Sequence, residues 1–255
     1  VGKTTTTISL AGALLREGSR VLLVDLDPHG SLTTYCGFDP DQVEPNLYTL
    51  FSAVADGNMA GIDDLTLATA IDDLYIAPSS TALVTLERRF GLKQGMGLAL
   101  KRSLARASRH YDYCLIDCPP TLGVLVVNAL VCCEQLIVPV QTEFLAERSL
   151  DRLLVTLKMI ESARRSPLPH LVVPTLFDRR TRAATDTLAA MRARKDITLW
   201  EGAIPVDTQL REASRVGVPL TLRQPYSRGS IAYQALLASL RNEQVDVTET
   251  LRHAG

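Results

Sequence analysis

Short apolar runs that end in polar or proline punctuation alternate along this chain with stretches of helical periodicity. RVLLVDLDPHGS is the first such run, and it turns from a buried strand pattern to an acidic loop at Asp25 and Asp27. LYIAPSS, YDYCLIDCPP, QLIVPVQ, LVVPTLFD and LWEGAIP repeat the form. Helix-length segments lie between them. Thr4 to Glu17 carries Ile8, Leu10, Ala11, Leu14 and Leu15 on a helical period, with Gly18 as its stop. Leu150, Leu153, Leu154 and Leu157 fall at i, i+3, i+4 and i+7, as do Tyr233, Leu236, Leu237 and Leu240. Alternating strands and helices predict an α/β fold, a doubly wound and mostly parallel sheet flanked by helices. Its ligand site belongs at the carboxyl ends of the strands.

Composition narrows the class. With 255 residues, 46% hydrophobic and 22% charged, the chain is long enough to bury one substantial core, read as one domain over 1–241 with a polar tail over 242–255. No apolar run approaches the roughly 20 residues that span a bilayer, and no secretory signal is visible. Cys36, Cys114, Cys118, Cys132 and Cys133 show no C-x-x-C spacing, so they read as reduced thiols packed in the core of a cytoplasmic protein. The net charge of −1 hides two faces. Val21 to Glu87 holds eleven acidic residues and no lysine or arginine, whereas Arg179 to Arg228 holds ten basic residues and five acidic ones. The later segment is where a polyanion would bind.

The candidate chemistry starts at Gly2, Lys3 and Thr4, which read as the last three positions of a phosphate-binding loop, G-x-x-x-x-G-K-[ST], entering a helix. Such a loop offers backbone N–H groups and a helix N-terminus to a polyphosphate. Its lysine adds a mobile charge, and its threonine hydroxyl ligates magnesium. The loop's first glycine and its entering strand would lie before Val1. The sheet topology brings Lys3 and Thr4 to the same edge as Asp25 and Asp27, which end one strand, and Asp117, which ends another. Magnesium with a nucleotide wants this set: a hydroxyl and carboxylates around an octahedral metal, and a lysine on the phosphates.

Four separated blocks carry a family resemblance: VGKTTTTISLAGALLREGSRVLLVDLDPHGSLT, YDYCLIDCPPTLGVLVVNAL, QLIVPVQTEFLAERSL and IPVDTQLREASRVGVPL. Together they resemble the ParA-type ATPases, the deviant P-loop NTPases of SIMIBI type that also include MinD. DPHGS, TLFDRRT and IPVDTQLREAS look most similar to ParA-like (ParC-like) proteins encoded among bacterial chemotaxis genes. The resemblance implies ATP and Mg2+ as ligands, hydrolysis, and a homodimer formed with ATP. It also implies a protein adaptor or ParB-like partner, and a cargo such as a chemoreceptor array, a plasmid or a chromosome. Residue by residue, it implies that Gly2, Lys3, Thr4 and Thr5 bind nucleotide, with Pro205, Val206 and Asp207 near adenine. Thr4 ligates the metal directly, Asp25 supports it through water, and Asp117 supports it from behind its direct ligands. Asp27 positions the attacking water, with Lys3 as its catalytic companion on the phosphates. In the family, a lysine of the loop's first half is lent across the dimer, so residues 1–255 alone are expected to be inactive.

Departures and rivals complete the reading. His29 stands where the family often has glutamine, and is read as a surface histidine that could tie activity to pH. His110, His170 and His253 form no triad with a serine or cysteine. The terminal segment has three acids against Arg252, with Val245, Val247 and Leu251 as its apolar anchors, unlike the amphipathic membrane helix of MinD-like regulators, so no membrane insertion is expected. An iron–sulfur carrier on the same fold would use Cys118, Cys132 and Cys133. A partner-binding module without catalysis is the third alternative. Arg179, Arg180, Arg182, Arg211, Arg215, Arg223 and Arg228 are expected to form a weak, sequence-independent DNA face in the nucleoid-associated or polar protein, with Arg179, Arg182, Arg211 and Arg215 foremost.

Overall fold

The computed structural model describes residues 2–253 apart from 59, 91–94, 108–109, 145 and 165. Helix α1 (Lys3–Arg16) opens at Gly2, whose φ of 89° lies in the left-handed region that favours glycine, and buries Ile8, Leu10, Ala11 and Leu14. It stops at Gly18, where Ser19 N–H returns to the Leu14 carbonyl at 3.2 Å. The following run forms β1 (Val21–Asp25), buried along its whole length. A short helix α2 (Ser31–Tyr35) and α3 (Leu47–Ala55), capped by the Asn46 side chain, lead to β2 (Leu67–Ala68) and β3 (Leu74–Ala77). Helices α4 (Leu86–Phe90) and α5 (Ala99–Ala107) precede β4 (Tyr113–Asp117), and α6 (Val124–Cys132) precedes β5 (Leu136–Gln141). Then come α7 (Ala146–Arg164), β6 (His170–Thr175), α8 (Arg182–Ala193), α9 (Gln209–Val216), α10 (Leu220–Arg223) and α11 (Arg228–His253).

Strands β3, β1 and β4 are parallel neighbours, with β2 antiparallel on the outer edge of β3. Strands β5 and β6 form a second, separate parallel pair. The sequence predicts one sheet, and the two halves found here are divided between β4 and β5. A cavity of about 1260 Å³ is lined by both strands and roofed by Leu10 and Leu14 of α1. Strand β4 is accordingly half-buried at Tyr113, Leu115 and Ile116, unlike β1 beside it. The expected strand at LWEGAIP is reduced to two isolated bridges, Val172 to Leu199 and Phe177 to Pro205. Gly202 and Pro205 interrupt the ladder there.

Helices cover both faces. On one, α1 and α11 pack Ile8, Leu14, Tyr233 and Leu236 against Val21, Leu23 and Val173. On the other, Leu22 and Val24 meet Leu50, Phe51, Leu100 and Leu125 from α3, α5 and α6. Leu150 and Leu157 bury one stripe of α7, as their spacing predicts, with Leu153 and Leu154 beside them. Gly12 lets α10 approach: a Cβ there would stand 2.6 Å from Pro219 Cβ and collide with the Thr221 hydroxyl. Arg241 closes the bundle, bridging to Glu17 at 2.5 Å and lying over the Tyr113 ring. The segment read as a polar tail continues α11 as far as His253, and its side chains, Val245, Val247, Leu251 and Arg252 among them, lie outside the described residues. Among the described residues no helix is long and apolar enough to cross a membrane.

Candidate nucleotide site

The carboxyl ends of β1 and β4 meet the N-terminus of α1. Parallel pairing sets Asp25 opposite Asp117, the last residues of neighbouring strands. The first intrahelical bond of α1 runs from Thr6 N–H to the Gly2 carbonyl at 2.9 Å. Helix geometry therefore leaves the N–H groups of Lys3, Thr4 and Thr5 without an intrahelical acceptor, facing the same edge. Gly2 lies against the end of β6, where a Cβ would stand 3.7 Å from Thr175 Oγ1.

Thr4 Oγ1 donates to Asp117 Oδ2 at 2.5 Å. The other carboxylate oxygen of Asp117 is buried without a hydrogen-bond partner among the described residues. Burial pushes Asp117 up to about 6, against the pull of the Thr4 hydroxyl and the Lys3 charge. Asp25 is held differently. Its Oδ2 accepts Thr33 N–H at 2.8 Å and the Thr33 hydroxyl at 2.7 Å, and its Oδ1 accepts Asp27 N–H at 3.2 Å. Burial, with Asp117 nearby, still pushes it up to about 7 although these bonds oppose the shift. Two buried carboxylates with raised proton affinity and one orphaned oxygen form a place suited to a cation. Magnesium fits the donor set, because it prefers oxygen ligands and keeps several waters. Thr4 would hold it, with Asp117 behind the Thr4 hydroxyl and Asp25 behind a water; among the described residues no cluster of three His, Cys, Asp or Glu stands in for those waters.

Asp27 follows β1 in a tight loop. Its carbonyl accepts the Ser79 hydroxyl at 2.6 Å and Gly30 N–H at 2.8 Å, and its Oδ1 meets His29 Nδ1 at 2.8 Å. Ser79 N–H in turn bonds Thr33 Oγ1 at 2.8 Å, so the loop after β3 braces the one after β1. Sequence reading missed Thr33 and Ser79. Their signal was position alone: Ser79 sits just past the carboxyl end of a strand, in LYIAPSS.

Residues 1–169 match the model of a family described as an AAA domain. The sporulation initiation inhibitor protein Soj of Bacillus subtilis is 33% identical over 234 residues, 91% of this chain and 90% of Soj. The chain belongs to the ParA/MinD-type family of P-loop ATPases. The chromosome partitioning protein ParA of Caulobacter vibrioides is 34% identical over 96% of this chain and 91% of its own. Among solved structures, cobyrinic acid a,c-diamide synthase of Mycobacterium smegmatis with bound ATP analog and magnesium superposes at a TM-score of 0.79. It is 32% identical and covers 95% of this chain and 90% of that one.

Pro205 and Val206 run beside Phe177, with Val206 N–H bonded to the Phe177 carbonyl at 3.2 Å, just beyond the end of β6. The Asp207 carboxylate is already taken, by Gln209 N–H and Gly229 N–H at 3.0 Å each, so it braces the loop against α11. The arginines lie around the loop after β6, on α9, and at the start of α11, where Arg228 acts on Asp178. Arg180, Arg182 and Arg215 pair with Asp178, Asp186 and Glu212. Arg179 and Arg211 are exposed and make no ion pair among the described residues. The cysteines depart from expectation. None is fully buried, and Cys114, Cys118, Cys132 and Cys133 line the cavity between β4 and β5. Burial pushes the Cys118 and Cys132 thiols up, the latter to about 12, which disfavours the thiolate that an iron–sulfur ligand requires.

Proposed function

We propose that this protein is a nucleotide-switched positioning ATPase that binds ATP with magnesium, pairs with a second copy in that state, and parts from it after hydrolysis. The observation that carries the reading is the orphaned, buried Asp117 oxygen beside the Thr4 hydroxyl at the start of α1. Lys3 and the first-turn N–H groups hold the phosphates. Thr4 would hold the metal, with Asp117 behind the Thr4 hydroxyl and Asp25 behind a water, and Asp27 orients the attacking water. A magnesium ion held by these residues would supply positive charge to the phosphates. Pro205 and Val206 present backbone groups to adenine. The relatives named for chromosome partitioning support a cargo that is carried rather than converted. The likeness of DPHGS, TLFDRRT and IPVDTQLREAS to chemotaxis-cluster proteins supports a chemoreceptor array as that cargo, reached through an adaptor protein in the cytoplasm.

The cavity between β4 and β5 supports a further element of the reading, a strand that belongs between them and enters the phosphate loop. Residues 1–255 alone then hydrolyse ATP negligibly. Prefixing an apolar strand and Lys-Gly-Gly raises the rate by about 10³-fold or more, the scale on which a transferred-phosphate cation acts. Full activity of the unextended chain would overturn this part.

The test of the function uses Asp27→Ala in the protein with its loop complete. Because Lys3 and Thr4 hold phosphate and metal while Asp27 acts on water, the variant binds ATP with wild-type affinity, accumulates as a dimer and loses turnover. Equilibrium binding of a fluorescent ATP analogue, light scattering and phosphate release read the three properties. Unchanged turnover removes Asp27 from the mechanism.

A further inference from the structure

We propose that His29 is a positioning residue whose imidazole fixes the Asp27 carboxylate for its action on water. The inference rests on the role of Asp27 proposed above. The backbone of Asp27 is fixed at both ends of its peptide groups: its N–H donates to Asp25 Oδ1 at 3.2 Å and its carbonyl accepts from Ser79 and Gly30. Rotation of the side chain is the freedom that remains. Two donors on a single oxygen remove it, since Oδ1 accepts His29 N–H at 3.0 Å and meets His29 Nδ1 at 2.8 Å. Oδ2 has no protein partner among the described residues, which leaves it for water.

The ring is not there to hold the fold. The backbone N–H of His29 already closes the Asx turn, and the imidazole, 79% exposed, makes its one described hydrogen bond to a carboxylate that is 12% exposed. A carboxylate oxygen only accepts, so Nδ1 carries the proton in this contact. The geometry therefore commits the ring to one tautomer.

Two measurements test the proposal. Long-range 15N–1H spectra of residues 1–255 are expected to show His29 protonated at Nδ1, and to lose that preference in Asp27→Ala. In the protein with its loop complete, His29→Ala lowers kcat at least about tenfold with the KM for ATP unchanged; for scale, a misplacement of about an ångström costs about 10²-fold. His29→Gln, which restores a side-chain N–H donor, recovers kcat. The exposed ring does not hold the fold, and matching thermal midpoints of the variants are expected. A wild-type kcat in His29→Ala while Asp27→Ala is inactive overturns this inference and leaves Asp27 in place. A wild-type kcat in Asp27→Ala overturns both. An Nε2-protonated ring indifferent to Asp27 also overturns it.

Discussion

Asp25 and Asp117 give the free protein an unusual dependence on pH. Each is raised above the ordinary aspartate value, to about 7 and about 6, chiefly by burial. A folded state that binds protons more tightly than the unfolded chain is favoured while those protons are present. Their contribution to stability is therefore complete below the unfolded aspartate range and is lost as pH rises to about 7. Denaturant midpoints taken without metal should fall over this window, and Asp117→Asn, which keeps the size and removes the titration, should flatten the fall. Adding magnesium and ATP near pH 7 should reverse the loss, because a bound cation takes over the role of the protons. At this scale the sequence was informative where chemistry coincides with a strand end: Lys3, Thr4, Asp25, Asp27 and Asp117 all stand where the pattern puts them. Thr33 and Ser79 were not legible, because a hydroxyl becomes part of a site only through the residue it meets across the fold. Nor was the hold of Gly229 on Asp207, which joins positions 22 residues apart.

Among the elements, α1 does most to assemble the site, and its depth of packing makes it sensitive to one atom. Gly12→Ala should destabilise the protein by about 1–3 kcal/mol, the usual cost of forcing a methyl group into a filled space. The obstacles are the Pro219 ring and the Thr221 hydroxyl, which itself donates to the Ser9 carbonyl at 2.9 Å. A lowered unfolding midpoint with retained helical circular dichroism is the expected result, and an unchanged midpoint would show that α10 moves aside freely. Helices α1, α7 and α11 were readable from period because each buries one apolar stripe against the strands beneath it. The run LWEGAIP was not, since its apolar residues resemble a strand while its ladder consists of two bridges separated by Gly202. The brief antiparallel β2 escaped notice for the opposite reason, being two residues long.

For the whole molecule, charge separation and the divided sheet matter most. We propose that the arginine-bearing later segment, set against the acidic first third, gives the protein an affinity for polyanions. In the proposed ATP-bound dimer, random duplex DNA should be retarded at low salt and released steeply as salt rises. Arg211→Glu with Arg215→Glu should abolish the shift without altering ATP binding, and retention of binding would assign recruitment to a protein instead. The alternation of strand and helix made the layered architecture legible. Asp25 and Asp117 stand opposite each other only because β1 and β4 pair in a single register. A slip of one residue would turn Asp117 to the other face of the sheet and leave Thr4 without its acceptor. Misaligned molecules would thus be unable to capture nucleotide, so retention on an immobilised ATP column doubles as an assay of correct folding, separating well-assembled protein from compact but mispaired chains.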